Sequence, residues 1–145
     1  MSGRVRVFLD TSVLIAANDI DHERHAESRP LLVAATRENC ACAAHSLAET
    51  YANLSIVKGD RQQRPETALR LVEQIAGRMM VVALDPEEYI TAIRDAAKLR
   101  IAGGTIYDAL LVKCARKVGA QRIYTWNVLH FKLVAPDLAE RIFTP

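Results

Sequence analysis

Cysteine is scarce in this chain: Cys40, Cys42 and Cys114 make an odd count, at spacings that match neither a disulfide framework nor a zinc site. Cys40-Ala41-Cys42 sets two thiols on one face of a strand, so the three read as small apolar fillers in a reducing compartment. Aromatic residues are only 6% of the chain, which leaves little from which to read base recognition. No apolar run is long enough to cross a bilayer, and "MSGRVRVF" carries no apolar signal core, so a cytoplasmic protein without membrane contact is expected. Repeats, linkers and low-complexity segments are lacking too, and one domain over residues 1–145 is expected. Charge of one sign hardly dominates: a net +2 permits a phosphate-bearing partner without requiring one.

What the chain does have is an alternation of short apolar strands and helical patterns. Strands are expected over Val5–Leu9, Cys40–Ala44, Met79–Leu84 and Arg122–Trp126. Helices are expected over Val13–Ala17, within His22–Glu38 with Pro30 obscuring the start, and over Leu47–Val57, Pro65–Ala76, Glu87–Arg100 and Ile106–Val118. Asn18, Gly77 and Gly119 stand as stop signals just past helix ends. Strands in this rhythm argue for an α/β fold with a parallel sheet covered on both faces.

Three acids stand out against that frame. Asp10 closes the first strand in "RVFLDTSVLIAAN", followed by Thr11 and Ser12. Its plainer reading is a helix N-cap. Glu49 in "SLAE" and Asp108 in "TIYD" lie three residues after Ser46 and Thr105, so each also matches a capping box, as does Asp85-Pro86-Glu87-Glu88. The same geometry has a second consequence. In an open parallel sheet each strand-to-helix turn lies at the carboxyl edge, which delivers Asp10 and Glu49 to one rim. Asp108 follows a helix instead, but shares a face with Leu111, Val112 and Ala115, an inward stripe on which an acid needs a partner. Three carboxylates ~5 Å apart would repel by roughly 3 kcal/mol per pair at an effective dielectric near 20, so they would take up protons or bind a cation. Hard oxygen donors without Cys or His suit Mg²⁺ or Mn²⁺, and phosphoryl chemistry is the natural use of such an ion.

"FLDTSVLIAA", "SLAETYANL", "TIYDALLVKCA" and "IYTWNVLHF" resemble, in order and spacing, the PIN-domain ribonucleases, most closely the VapC-type toxins of bacterial toxin–antitoxin pairs. The resemblance spans nearly the whole chain. It implies a three-layer α/β/α PIN-like fold with a central parallel sheet of four to five strands. It implies an endoribonuclease that uses a metal-activated water and leaves 5′-phosphate and 3′-hydroxyl ends. Asp10, Glu49 and Asp108 correspond to the Mg²⁺ or Mn²⁺ ligands, and Thr11 or Ser12 to the hydroxyl that orients ligand or water. The last motif departs from the family: Thr125-Trp126-Asn127 offers the amide of Asn127 where many relatives carry a fourth acid, and His130 precedes Phe131 where an Asp often stands. One tightly bound ion is therefore expected. Asn127 joins the catalytic candidates, and Thr125 and His130 the orienting ones, although His130 reads equally as a loop histidine. The resemblance also implies an RNA substrate, a cognate antitoxin whose C-terminal segment covers the acidic groove, and a homodimer.

Lys58, Arg61, Arg64, Lys98, Arg100 and Lys113 are candidates to steer RNA, each equally a solvated charge; Tyr51, Leu54, Ile56 and Val57 are candidates for partner surfaces or for core. His22 and His25 are spaced for a metal but read as a solvated helix start, and His45 as a rim residue. Three rival readings remain. A phospho-receiver would use Asp85 but wants an acidic pair after the first strand, and a haloacid-type phosphatase would need an acid where Ser12 stands. The third is a PIN scaffold that binds RNA or protein without cutting.

Overall fold

The computed structural model describes residues 5–58, 61–62 and 64–145. Its central sheet has five parallel strands in the order β5-β2-β1-β6-β7, with β1 at Val7–Leu9, β2 at Cys40–Ala43, β5 at Met80–Val82, β6 at Arg122–Tyr124 and β7 at Ile142–Phe143. Helices α1 (Thr11–Asn18), α2 (His25–Val33), α3 (Ala44–Leu54), α4 (Pro65–Arg78), α5 (Pro86–Lys98), α6 (Ile106–Lys117) and α7 (Val128–Val134) connect them, and a two-stranded antiparallel ribbon, β3 (Val57–Lys58) with β4 (Arg61–Gln62), follows α3.

Strand alternation builds the three layers. Successive side chains of a strand point to opposite faces, so Phe8, Ala41, Ala43 and Ile123 join Leu111, Phe131 and Val134 from α6 and α7 in one core. Leu9, Cys40 and Cys42 join Val13, Leu14, Leu32 and Ile75 from α1, α2 and α4 in the other. Burial lifts the Cys40 and Cys42 thiols to about 12 and the Cys114 thiol to about 11, which keeps all three as protonated filler. The chain winds outward from β1 through β2 to β5, then crosses to β6 on the other side of β1. That reversal makes the carboxyl ends of β1 and β6 the switch point of the sheet, where open α/β folds form their crevice.

Several sequence expectations shift. Helix α3 starts at Ala44, three residues before Leu47, and ends at Leu54, where the ribbon takes over. Gly77 lies inside α4, one residue before its end, with open space where a Cβ would stand. Gly119 does cap α6, at φ 64°, whereas the left-handed position after α5 is filled by Arg100, at φ 58°. Pro30 sits within α2. Helix α7 and strand β7 were absent from the sequence expectations. Leu54 is core at 3% exposure, while Tyr51 and Ile56 face solvent. The side chains of Val57, Lys58 and Arg61 lie outside the described residues. Among the described residues no helix is long and apolar enough to cross a membrane.

Candidate functional site

The register that sets Leu9 beside Tyr124 brings the next pair, Asp10 and Thr125, together across the β1–β6 boundary. Asp10 is 3% exposed, and its Oδ2 accepts from Ser12 Oγ at 2.6 Å and from Thr125 Oγ1 at 2.7 Å. Each of those hydroxyls is aimed by a backbone donor: Trp126 N–H donates to Ser12 Oγ at 3.0 Å, and Asn127 N–H to Thr125 Oγ1 at 2.9 Å. A hydroxyl that accepts from an amide has its own proton left to give, and both give it to Asp10. Burial still holds the Asp10 carboxyl above its ordinary range, because these bonds only partly offset its removal from water.

Glu49 is fixed from the same turn. Thr11 Oγ1 donates to Glu49 Oε1 at 2.8 Å and meets the buried Ser46 Oγ at 2.7 Å, tying α1 to α3. Counted from Ala44, Glu49 lies in the second turn of α3, so the capping-box reading of Ser46 and Glu49 is corrected: Ser46 stands inside the helix and its hydroxyl serves Thr11. Asp10 occupies the N-cap position of α1, and Asp108 the third position of α6, yet neither Asp10 nor Thr105 makes a capping side-chain bond. Asp85 shows what a cap here looks like. Its carboxylate accepts from Glu88 N–H at 2.8 Å while Glu88 Oε1 accepts from Asp85 N–H at 2.9 Å. The device is used at Asp85 and left unused at Asp10, Glu49 and Asp108.

Asp108 reaches the rim from α6, preceded by a single 3₁₀ turn at Gly103–Thr105. Its carboxyl is pushed up to about 6, first by burial and then by the negative charge of Asp10, with Glu49 adding to it; His130, its Nδ1 3.8 Å from Asp108 Oδ2, works the other way. The three acids are therefore electrostatic neighbours around one space. As a donor set they fit a hard divalent cation: all oxygen, clustered charge, with the Asp10 and Asp108 carboxyls both pushed toward protonation. They surround that space without closing on one point, for among the described residues no three His, Cys, Asp or Glu side chains are gathered at metal-binding spacing.

His130 lies on α7, 61% exposed, at the mouth of the site. Asn127 precedes α7 and is exposed; its backbone orients Thr125, and its side chain does not cap the helix. His22 and His25 do not form a metal pair. His22 Nδ1 accepts from Arg24 N–H, and His25 Nδ1 lies 2.8 Å from Ala16 O. Sequence reasoning missed Ser46, whose three-residue spacing to Glu49 disguised it as a cap. It also missed the contact of His45 with Tyr107, whose rings stack 5.7 Å apart at 6° beside the acids.

A family model described as the PIN domain matches residues 7–128. Ribonuclease VapC27 of Mycobacterium tuberculosis is 32% identical over 115 residues, 78% of this chain and 79% of that one. Among solved structures, M. tuberculosis VapC20, a sarcin–ricin-loop-cleaving toxin, superposes with a TM-score of 0.63 at 19% identity, covering 83% of this chain and 89% of its own. FitAB bound to an IR36 DNA fragment gives 0.64 at 18% identity, covering 96% and 94%. At these identities the two superpositions bear on the fold, and their sheet and flanking helices match those described above.

Proposed function

Because this chain belongs to the PIN-domain family, we propose that it is a metal-dependent endoribonuclease, acting as one domain over residues 1–145 and serving as the toxin of a type II toxin–antitoxin pair. The observation that carries the reading is the convergence of Asp10, Glu49 and Asp108 from three separate elements onto one rim, none of them closing a capping box. These three would hold the ion, Mg²⁺ or Mn²⁺. The chemistry such an ion supplies when bound is polarisation of a phosphate oxygen and a lowered pKa for water.

The protein's own groups position and charge the site. Ser12 and Thr125 donate to Asp10 and partly offset the cost of burying its charge, and Thr11 fixes the rotamer of Glu49. Asp108 and His130 form the outer wall, where His130 can donate to a phosphate or a leaving oxygen. Asn127 offers a neutral amide where a fourth acid would add charge, which favours one tightly held ion per chain. Calorimetry with Mn²⁺ counts it, and two tight ions would refute that stoichiometry. The partners that follow are an RNA strand, an antitoxin segment over the acidic rim, and a second copy of the chain.

The deciding experiment is digestion of a cellular RNA pool with Mg²⁺, with Mn²⁺ and with EDTA, beside Asp108→Asn. Cleavage that needs metal, leaves 5′-phosphates and vanishes in the variant supports the reading. Cyclic 2′,3′ ends would make the ribose hydroxyl the nucleophile and overturn it. A second reading, a scaffold that binds without cutting, draws on Asn127 and the open spacing of the acids; it takes over if neither protein cuts while both fold.

A further inference from the structure

One strand over from Asp10, the same carboxyl rim holds a small pocket that the acid cluster does not use. It lies between the ends of β2 and β5, walled by His45 at the start of α3, Leu84, Tyr89 on α5, and Leu110 on α6. Its volume is about 70 Å³, several times the ~10–15 Å³ that holds one water on the same scale. The walls are mostly apolar. At its edge His45 stacks on Tyr107, the rings 6° apart with centroids 5.7 Å apart, so that the ring stack stands beside the pocket. Tyr107 is 51% exposed and Tyr89 38%, so a chain poor in aromatics leaves two large rings in solvent here. Both rings of the stack are tied to the acids: His45 Nε2 stands 3.7 Å from Glu49 Oε1, and Tyr107 immediately precedes Asp108.

We infer that this pocket and the His45–Tyr107 ring stack form a nucleobase subsite, which seats the base of a nucleotide beside the phosphate held at Asp10, Glu49 and Asp108. The inference rests on the ribonuclease reading and gives it a source of sequence preference. Every base has a π face and an apolar edge, and a single strand with its bases unstacked presents both. Exposed aromatic rings beside a small apolar pocket, next to a phosphate site, match that chemistry. An apolar protein helix would call for a groove longer than this pocket. Tyr107, Tyr89 and His45 are then the residues that set which base flanks the cut.

The test uses short single-stranded RNAs in which 2-aminopurine replaces one base at each position in turn, because its fluorescence falls when it stacks. Binding is measured in the full-length protein with Ca²⁺, a hard oxygen-binding ion, in place of Mg²⁺, with survival of the strand confirmed on a gel, and again with Tyr107→Phe, Tyr107→Leu or Tyr89→Leu. The expected result is quenching at one position, kept in Tyr107→Phe and lost in Tyr107→Leu and Tyr89→Leu, with affinity falling about tenfold for the loss of one base–aromatic stack. Folding of each variant is checked by its melting curve, and Tyr107→Phe guards against a purely steric effect. Quenching at no position, or quenching that Tyr107→Leu leaves intact, overturns the subsite; a patch that serves a protein partner gives the first of these. Cleavage of the same RNAs by the unsubstituted protein is scored separately. Quenching without cleavage sinks the nuclease reading and keeps the subsite, and cleavage without quenching does the reverse.

Discussion

Asp108→Asn should stabilise the protein while abolishing its activity. The folded environment lifts the Asp108 carboxyl from 3.8 to about 6 by burial and by the charges of Asp10 and Glu49. At 1.36 kcal/mol per pKa unit that gap amounts to about 3 kcal/mol against the ionised form. Two effects trim it. The side chain keeps 21% of its exposure, so water screens part of the repulsion. Its place in the first turn of α6 also favours a negative charge by about 0.3–1 kcal/mol. A net gain of about 1–2 kcal/mol is expected for Asn at pH 7.5, roughly 3–8 °C in Tm for a domain of this size. The sign follows from linkage. An acid whose folded pKa is raised binds its proton more tightly when folded, so the penalty is absent below 3.8, grows as pH rises toward about 6, and is complete above it. The assay is urea or thermal unfolding of both proteins in EDTA from pH 4 to 8. The variant should be the more stable at pH 7.5, and the two should converge near pH 4. A variant of equal or lower stability at pH 7.5, or a gap that does not depend on pH, would refute the crowding of three carboxylates at this rim.

Adding Mn²⁺ in place of EDTA should raise the Tm of the unsubstituted protein and leave Asp108→Asn nearly unmoved, because an ion that binds only the folded state stabilises by mass action; equal shifts would count against Asp108 as a ligand. Thr125→Val removes one of two hydroxyl donors from the buried Asp10 and should cost about 1–3 kcal/mol in urea unfolding, with cleavage reduced as well. Arg100→Gly should stabilise by about 0.5–1 kcal/mol, since Arg100 holds φ 58° after α5 and glycine accepts that conformation without strain, at some entropic cost; a loss of stability would show that the arginine side chain contributes more than its backbone costs. Asp85→Ala opens the one closed capping box described above and should cost about 0.5–2 kcal/mol without altering RNA cleavage, a control that separates stability from activity.

The strands were legible because each is short, apolar and bounded by helix signals, and Cys40-Ala41-Cys42 shows the limit of that reading. Its face alternation was clear from sequence, but which face met α4 depended on winding order. The start of α3 was misplaced because Ser46 looks like a cap, whereas the helix begins without one at Ala44. Gly77 looked like a stop, but with no crowding at its Cβ position and Arg78 still helical it is only a weak link near the end of α4. Helix α7 and strand β7 span 7 and 2 residues, too short for periodicity to register. Asp10 and Glu49 could be assigned to a common rim from topology alone. The hydroxyls that hold them could not. The bond from Thr125 to Asp10 joins residues 115 apart and exists only because β6 pairs with β1 in one register.

That wiring bears on why the site uses hydroxyls where an arginine or lysine would bind a buried carboxylate more strongly. A guanidinium beside Asp10 would neutralise it and fill the space that Glu49 and Asp108 also face. Ser12 and Thr125 give two hydrogen bonds and no charge, so they lower the cost of burial without adding a cation that cancels the carboxylate. The same holds for Thr11 at Glu49. In each case a residue on the first turn after β1 or β6 orients an acid without cancelling it. Asp10 and Asp108 are both held above the ordinary carboxylate range, each first by burial, and at Asp108 the charges of Asp10 and Glu49 add to it. A site organised in this way has unmet demand for positive charge, and either a divalent ion or a basic side chain of a partner segment would satisfy it. The two would then compete for the same three oxygen donors, so a basic segment laid over this rim should protect RNA in proportion to how well it excludes metal.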